Sequence, residues 1–309
     1  MSPADRQALD RAGLFRGGGG AGGQAGAGES GEVGNHSGSR VDLNNMDRAV
    51  RPRVPSSWAG ADLSVSTGFL PRNAFVVDSL RHEAIVAGVV DVVRHVARGR
   101  RQAALTLVHY VVAAYAETVI RPLAVDGLEV NIAANQLAIQ IGRDGRLDGL
   151  WVSKWATQPA DDGSAHRVGR RLGAALLPVL RSACAIGQVG ARTAATVAAD
   201  AVLAAARRRA RIAGHHDLSW ADDLLAAAAL PARGTVRLME VHPDDGPAVE
   251  YMVPRVCCVL ADKLTDSACP GCPRRDAEAA RAATEAYLRD LDDDEFRAWA
   301  GRPRVLASA

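Results

Sequence analysis

Four of the five cysteines in this 309-residue chain fall in one short C-terminal stretch: Cys257-Cys258, ten residues, then Cys269-Pro270-Gly271-Cys272. Thiols gathered this closely either pair as disulfides or hold a metal, and in both cases they cross-link the loop that carries them. No other segment concentrates reactive side chains in this way. The residues before it therefore read as a scaffold that presents a C-terminal cysteine loop.

Three chemistries compete for the four thiols. Disulfides suit a small secreted protein, whereas this chain is long and shows no secretory leader. A structural zinc ion takes four thiolates, usually from two C-x(2–4)-C knuckles. Only Cys269 and Cys272 have that spacing, because Cys257 and Cys258 are adjacent. A two-iron cluster offers two metal atoms that each want two protein ligands. Two ligand pairs of unequal geometry suit it better than they suit one tetrahedral ion.

The pattern Cys-Cys-x10-Cys-x2-Cys, with Pro273 directly after the last cysteine, resembles the signature of the FhuF-type ferric siderophore reductases. The resemblance covers residues 257–272 and implies that Cys257, Cys258, Cys269 and Cys272 ligate a 2Fe–2S cluster. It further implies an iron–sulfur oxidoreductase that reduces ferric siderophores in the cytoplasm by one-electron transfer, releasing ferrous iron. Which side chains hold the ferric complex is not legible. Since no Rossmann-type glycine motif or flavin site is visible, the electron donor is a separate protein or a low-molecular reductant. The reading from a different class is a non-catalytic iron–sulfur or zinc-binding regulatory or assembly protein.

Charge narrows the partners. Lys plus Arg number 37 against 35 Asp plus Glu, a net charge of +2, which argues against an extended nucleic-acid footprint. The longest strongly apolar run, Ala103 to Ala116, is too short to cross a bilayer, leaving at most peripheral membrane association. Arg255, Lys263, Arg274 and Arg275 flank the cysteines. Positive charge there, with the amides of a helix opening at Pro273, either favours the reduced form of an anionic cluster or simply solvates a surface loop.

Residues 1–55 read as a disordered Gly-rich tail and lead-in, 56–240 as a helical and mixed body, and 241–309 as the cluster-binding segment. Within the body, helical spacing runs from Ala74 to Ala97 and from Gln102 to Ile120, the latter stopping before Pro122. Leu128–Ile132, Gln136–Ile141 and Leu147–Val152 alternate as strands of a meander, with Arg143-Asp144-Gly145 as a turn. Two long helices, Ala165–Ala185 and Ala191–Arg211, form an antiparallel hairpin. Ser219 opens a short helix, and Thr235–Val241 and Ala248–Val253 lead to the cysteines.

Isolated His82, His95 and His109 read as ordinary core or surface residues, Cys184 as a buried thiol, and Arg207-Arg208-Arg209 with Arg211 as a solvated helix end. His215-His216-Asp217 lacks further ligands for a metal. The expected fold is α+β, a helix-dominated body with a small antiparallel sheet and a C-terminal iron–sulfur segment.

Overall fold

The longest apolar stretch folds as a helix on which other helices of the main body pack. In the computed structural model, Arg100–Tyr115 buries Ala103, Ala104, Leu105, Leu107, Val108, Val111, Val112 and Ala114. A helix apolar on all sides belongs in the middle of a body. Two π-helical turns, Ala116–Ile120 and Pro122–Asp126, continue it to Gly127, whose left-handed backbone (φ 60°) returns its amide to the Pro122 carbonyl. The helix thus passes Pro122, where the sequence reading ended it. The proline opens the second turn, where a missing N–H is tolerated, and the shift to π register carries the chain past the ring. The stretch Arg100–Asp126, 27 residues, is long and apolar enough to span a bilayer, but 83% of its most apolar window is buried in the protein.

The structure describes residues 55, 57, 63–67, 70–71, 73–97, 99–214, 219–230, 236–254, 272, 275–300 and 304–305. Of the Gly-rich tail and lead-in read over residues 1–55, all but residue 55 lie outside the described residues. In chain order the strands are β1 (Val65–Thr67), β2 (Ala74–Val76), β3 (Leu128–Asn131), β4 (Leu137–Ile141), β5 (Leu147–Val152), β6 (Ala156–Pro159), β7 (Val236–Val241) and β8 (Val249–Pro254). The α-helices are α1 (Glu83–Val93), the central α2 (Arg100–Tyr115), α3 (Ser164–Gly187), α4 (Ala191–Ile212), α5 (Ser219–Ala227), α6 (Ala277–Asp290) and α7 (Asp293–Ala300). The fold is α+β and dominated by helices.

The largest sheet has the order β1-β5-β4-β2, antiparallel except for the parallel β1–β5 pair. The β4–β5 hairpin forms where the sequence places it. Gly145 takes φ 85° and its amide donates to the Gly142 carbonyl (2.9 Å). Two readings change. Ala74–Val76 is a strand on β4, not the start of a helix, and the helix proper begins at Glu83 after a 3₁₀ turn, Val77–Arg81. Strand β3 leaves the meander and pairs with β6, a strand that the sequence reading does not contain. Hairpin neighbours are legible from turn chemistry, whereas β3–β6 pairing closes over an intervening hairpin and leaves no local signal.

Helices α3 and α4 form the expected antiparallel hairpin and pack on α2. Every third or fourth residue of α3 is buried, from Ala165 through Val168, Leu172, Leu176, Val179 and Ala183. Helix α5 lies against α3 across Gly169 and Gly173. A second, smaller core sits at the C-terminal end, built from Val241, Val249, Leu288 and Phe296, with Tyr251 and Tyr287 against it. Strand β8 joins the two cores: Tyr251 packs on the small one and its neighbour Met252 on the main one. Opposite orientation of successive strand residues makes this possible.

Candidate metal centre

The elements on either side of the cysteine segment, β8 before it and α6 after it, both pack on the small C-terminal core. Strand β8 pairs antiparallel with β7 along its whole length and ends at Pro254, three residues before Cys257. On the far side Cys272 is buried (3% exposed), and its carbonyl accepts a hydrogen bond from the Arg275 amide (3.0 Å). Asp276 then caps α6, its carboxylate accepting from the Ala279 amide (2.8 Å). The helix therefore opens at Ala277, not at Pro273. The intervening turn separates its first amides from Cys272, and the cap occupies one of them. Of the four candidate ligands, Cys257, Cys258 and Cys269 lie outside the described residues, as do Arg255, Lys263 and Arg274.

Several contacts fix these two ends to each other. The His242 amide donates to Glu285 on α6 (3.0 Å), and the Val305 amide to Asp244 (2.8 Å). Arg304 donates to the carbonyls of Leu288, Arg289 and Leu291 (3.2, 3.1 and 2.7 Å), satisfying the end of α6. Its guanidinium also lies 4.4 Å from the centre of the buried Phe296 ring. The strand that leads into the cysteines and the helix that leads out of them thus belong to one packed unit.

That unit is attached to the body through the end of α4. Arg211 donates to the Glu250 carbonyl on β8 (2.9 Å), and the Glu250 carboxylate lies 4.0 Å from both Arg207 and Arg211. Arg209 is buried and ion-paired with Glu117 from the first π turn, and Arg121 reaches the same carboxylate at 3.4 Å. The sequence reading of a solvated arginine end is corrected here. Four arginines within five residues of a helix look exposed until a buried acid far away in sequence is found for one of them.

The other cysteine is chemically distinct. Cys184 is half-buried on α3, and burial pushes its thiol up to about 11, so almost no thiolate is present near neutrality. Neither Cys184 nor Cys272 is in a disulfide. The histidines read from sequence stay apart: His82 and His95 are exposed, while burial lowers His109 to about 4 and keeps it neutral. His215, His216 and Asp217 lie outside the described residues. Among the described residues no group of three His, Cys, Asp or Glu side chains is placed to hold a metal. Cys272, the one member of the cysteine quartet among the described residues, is shielded from water.

A second charged centre, missed in the sequence, lies where β3 meets α3. Glu129 (2% exposed) receives hydrogen bonds from Arg167 (2.9 Å through Nε), Ser164 (2.9 Å) and Gln158 (3.0 Å), and pairs with Arg171. Its signal was the Arg167/Arg171 pair, one turn apart on the same helical face. Burial pushes the carboxyl up, but the hydrogen bonds from Arg167, Arg171, Ser164 and Gln158 outweigh it and hold the group down at about 2. A carboxyl with a depressed folded pKa stabilises above its unfolded value and loses that contribution as pH falls. The loss therefore runs from about 4.5 to about 2. The full shift corresponds to about 3 kcal/mol, and partial solvation of the two arginines reduces this to about 2 kcal/mol. Denaturant titrations at pH 7 and pH 3 should show Glu129→Gln losing less stability on acidification than the parent. Equal losses would mean that this cluster does not govern acid sensitivity.

None of the models of known protein families matches the chain, and no curated protein matches it.

Proposed function

We propose that the chain is a ferric siderophore reductase whose Cys257, Cys258, Cys269 and Cys272 hold a 2Fe–2S cluster. One observation carries the reading: the Cys-Cys-x10-Cys-x2-Cys spacing, a ligand arrangement with two unequal pairs. The burial of Cys272 and the anchoring of both ends of the loop support it, because a cluster is best kept from water and held in fixed geometry. When bound, the cluster supplies one-electron transfer.

The substrate is a ferric ion wrapped in hard oxygen donors such as hydroxamates or catecholates. Such ligands hold ferric iron far more tightly than ferrous iron, so adding one electron loosens the complex and frees the metal. The electron comes from a separate donor, and the setting is the cytoplasm. The chain's own part is to hold the thiolates, exclude water around them and dock the loop on the body through Arg211 and Glu250.

Protein purified without oxygen is expected to be brown, with about two irons and two sulfides per chain. Pre-reduced protein mixed with ferric hydroxamate or catecholate complexes and a ferrous chelator should reoxidise, with about one ferrous ion captured per electron. Colourless protein with stoichiometric zinc would replace this reading with a zinc-binding regulator. Brown protein that no ferric complex reoxidises faster than buffer does would make it a non-catalytic iron–sulfur protein.

A further inference from the structure

The second π-helical turn, the lead-in to α3 and the start of α5 enclose an open cleft of about 440 Å³. Leu123, Ala124 and Ala165 give it an apolar surface, and the half-buried Trp220 lines it from α5. A cavity of this size, part apolar and part polar, is within the range that small organic molecules occupy.

The charges around it are not equally committed. Asp161 is engaged by Arg167 (2.7 Å) and by the Gly163 amide (2.8 Å), and the Ser164 hydroxyl donates to Glu129. Asp162 and Asp223 line the cleft from different walls, are exposed, and have no hydrogen bond or ion pair among the described residues. Among the described residues no basic side chain lines the cleft, so it keeps two negative charges beside an indole, and the neighbouring Arg167 is already engaged by Glu129 and Asp161. An anion would be repelled. A bare metal ion fits no better, since among the described residues no three carboxylates converge closely enough to coordinate one.

We propose that this cleft binds an organic ammonium ion with an apolar or aromatic body. The ammonium group is drawn by Asp162 and Asp223, and its body lies against Trp220 and the Leu123–Ala124 wall. An indole favours a cation over a neutral group of the same shape, and the separated carboxylates favour an extended ligand over a compact ion. The inference stands on the cleft alone and does not depend on the chemistry of the cysteines.

Calorimetric titration of the full-length protein with phenethylammonium, and with 2-phenylethanol as its neutral counterpart, tests it. The ammonium ion should bind saturably and at least about fivefold more tightly than the alcohol, with the advantage shrinking in high salt. Asp162→Asn with Asp223→Asn should remove most of that advantage, and Trp220→Leu should weaken the ammonium ion more than the alcohol. Both aspartates are exposed, so the double variant should keep its circular dichroism; if it did not, the ammonium–alcohol comparison on the parent would still decide the matter. Equal affinity for the two probes, full retention of ammonium binding in the folded double variant, or displacement by calcium at equal ionic strength would each overturn the proposal. So would the absence of saturable heat up to about 50 mM, where a fragment with one charged contact and one aromatic contact should register.

Discussion

Serine at Cys257, Cys258, Cys269 or Cys272 is expected to abolish or reshape the visible absorption of anaerobically purified protein, whereas Cys184→Ser leaves it unchanged. The contrast follows from chemistry and position. A thiolate is the ligand, and a serine hydroxyl at neutral pH is protonated and hard, so each replacement removes one soft donor from a set of four. Cys184 differs on both counts. It sits half-buried on α3, more than seventy residues before the quartet, and burial keeps its thiol protonated. Ferric-complex turnover should fall with the absorption in the four ligand variants and persist in Cys184→Ser. Loss of the spectrum in folded Cys184→Ser, or an unchanged spectrum in any one of the other four, would break the ligand assignment.

Much of the helical body was legible because its helices repeat apolar residues at a helical period. The buried series on α3 and the buried circumference of α2 both read directly from the chain. What escaped shares one physical cause, dependence on partners far away in sequence. Strands β1 and β2 are three residues each and exist because β5 and β4 offer them edges. Strand β6 is the polar segment Ala156–Pro159, and only β3 makes it a strand. At the candidate site the cysteine spacing is local and was plain, and so was the strand that leads into it. The burial of Cys272, the capped start of α6 at Ala277 and the Arg211–Glu250 attachment required the fold. Glu129 was hidden in an alternating strand because its arginine partners lie 38 and 42 residues away.

Alanine at Gly169 or Gly173 should destabilise the protein strongly, while alanine at Gly88 should stabilise it slightly. All three glycines lie within helices, where replacing glycine by alanine normally gains about 1 kcal/mol from backbone entropy. Gly88 is exposed on α1 with nothing within 4 Å of an added methyl, so this term acts alone. At Gly169 the methyl would meet the Leu224 carbonyl oxygen and come within 2.8 Å of the Ala227 methyl. At Gly173 it would meet the Ala228 carbonyl and lie 2.9 Å from its Cα. Those obstacles are mostly backbone of α5 and its C-terminal end, which no rotamer change can move aside. Overpacking of this kind costs about 1–3 kcal/mol per site, so the clash outweighs the propensity gain. The two sites press on one helix and should couple, giving the double variant a loss of about 4 kcal/mol, a large part of a domain's stability. Guanidinium denaturation of the four variants measures this directly. The same displacement would carry Trp220 and Asp223 with α5, so Gly169→Ala and Gly173→Ala should also weaken ammonium binding in the cleft under conditions where the protein is still folded. If Gly173→Ala instead stabilises as Gly88→Ala does, α5 is not seated on this face of α3, and the cleft wall it forms falls with it.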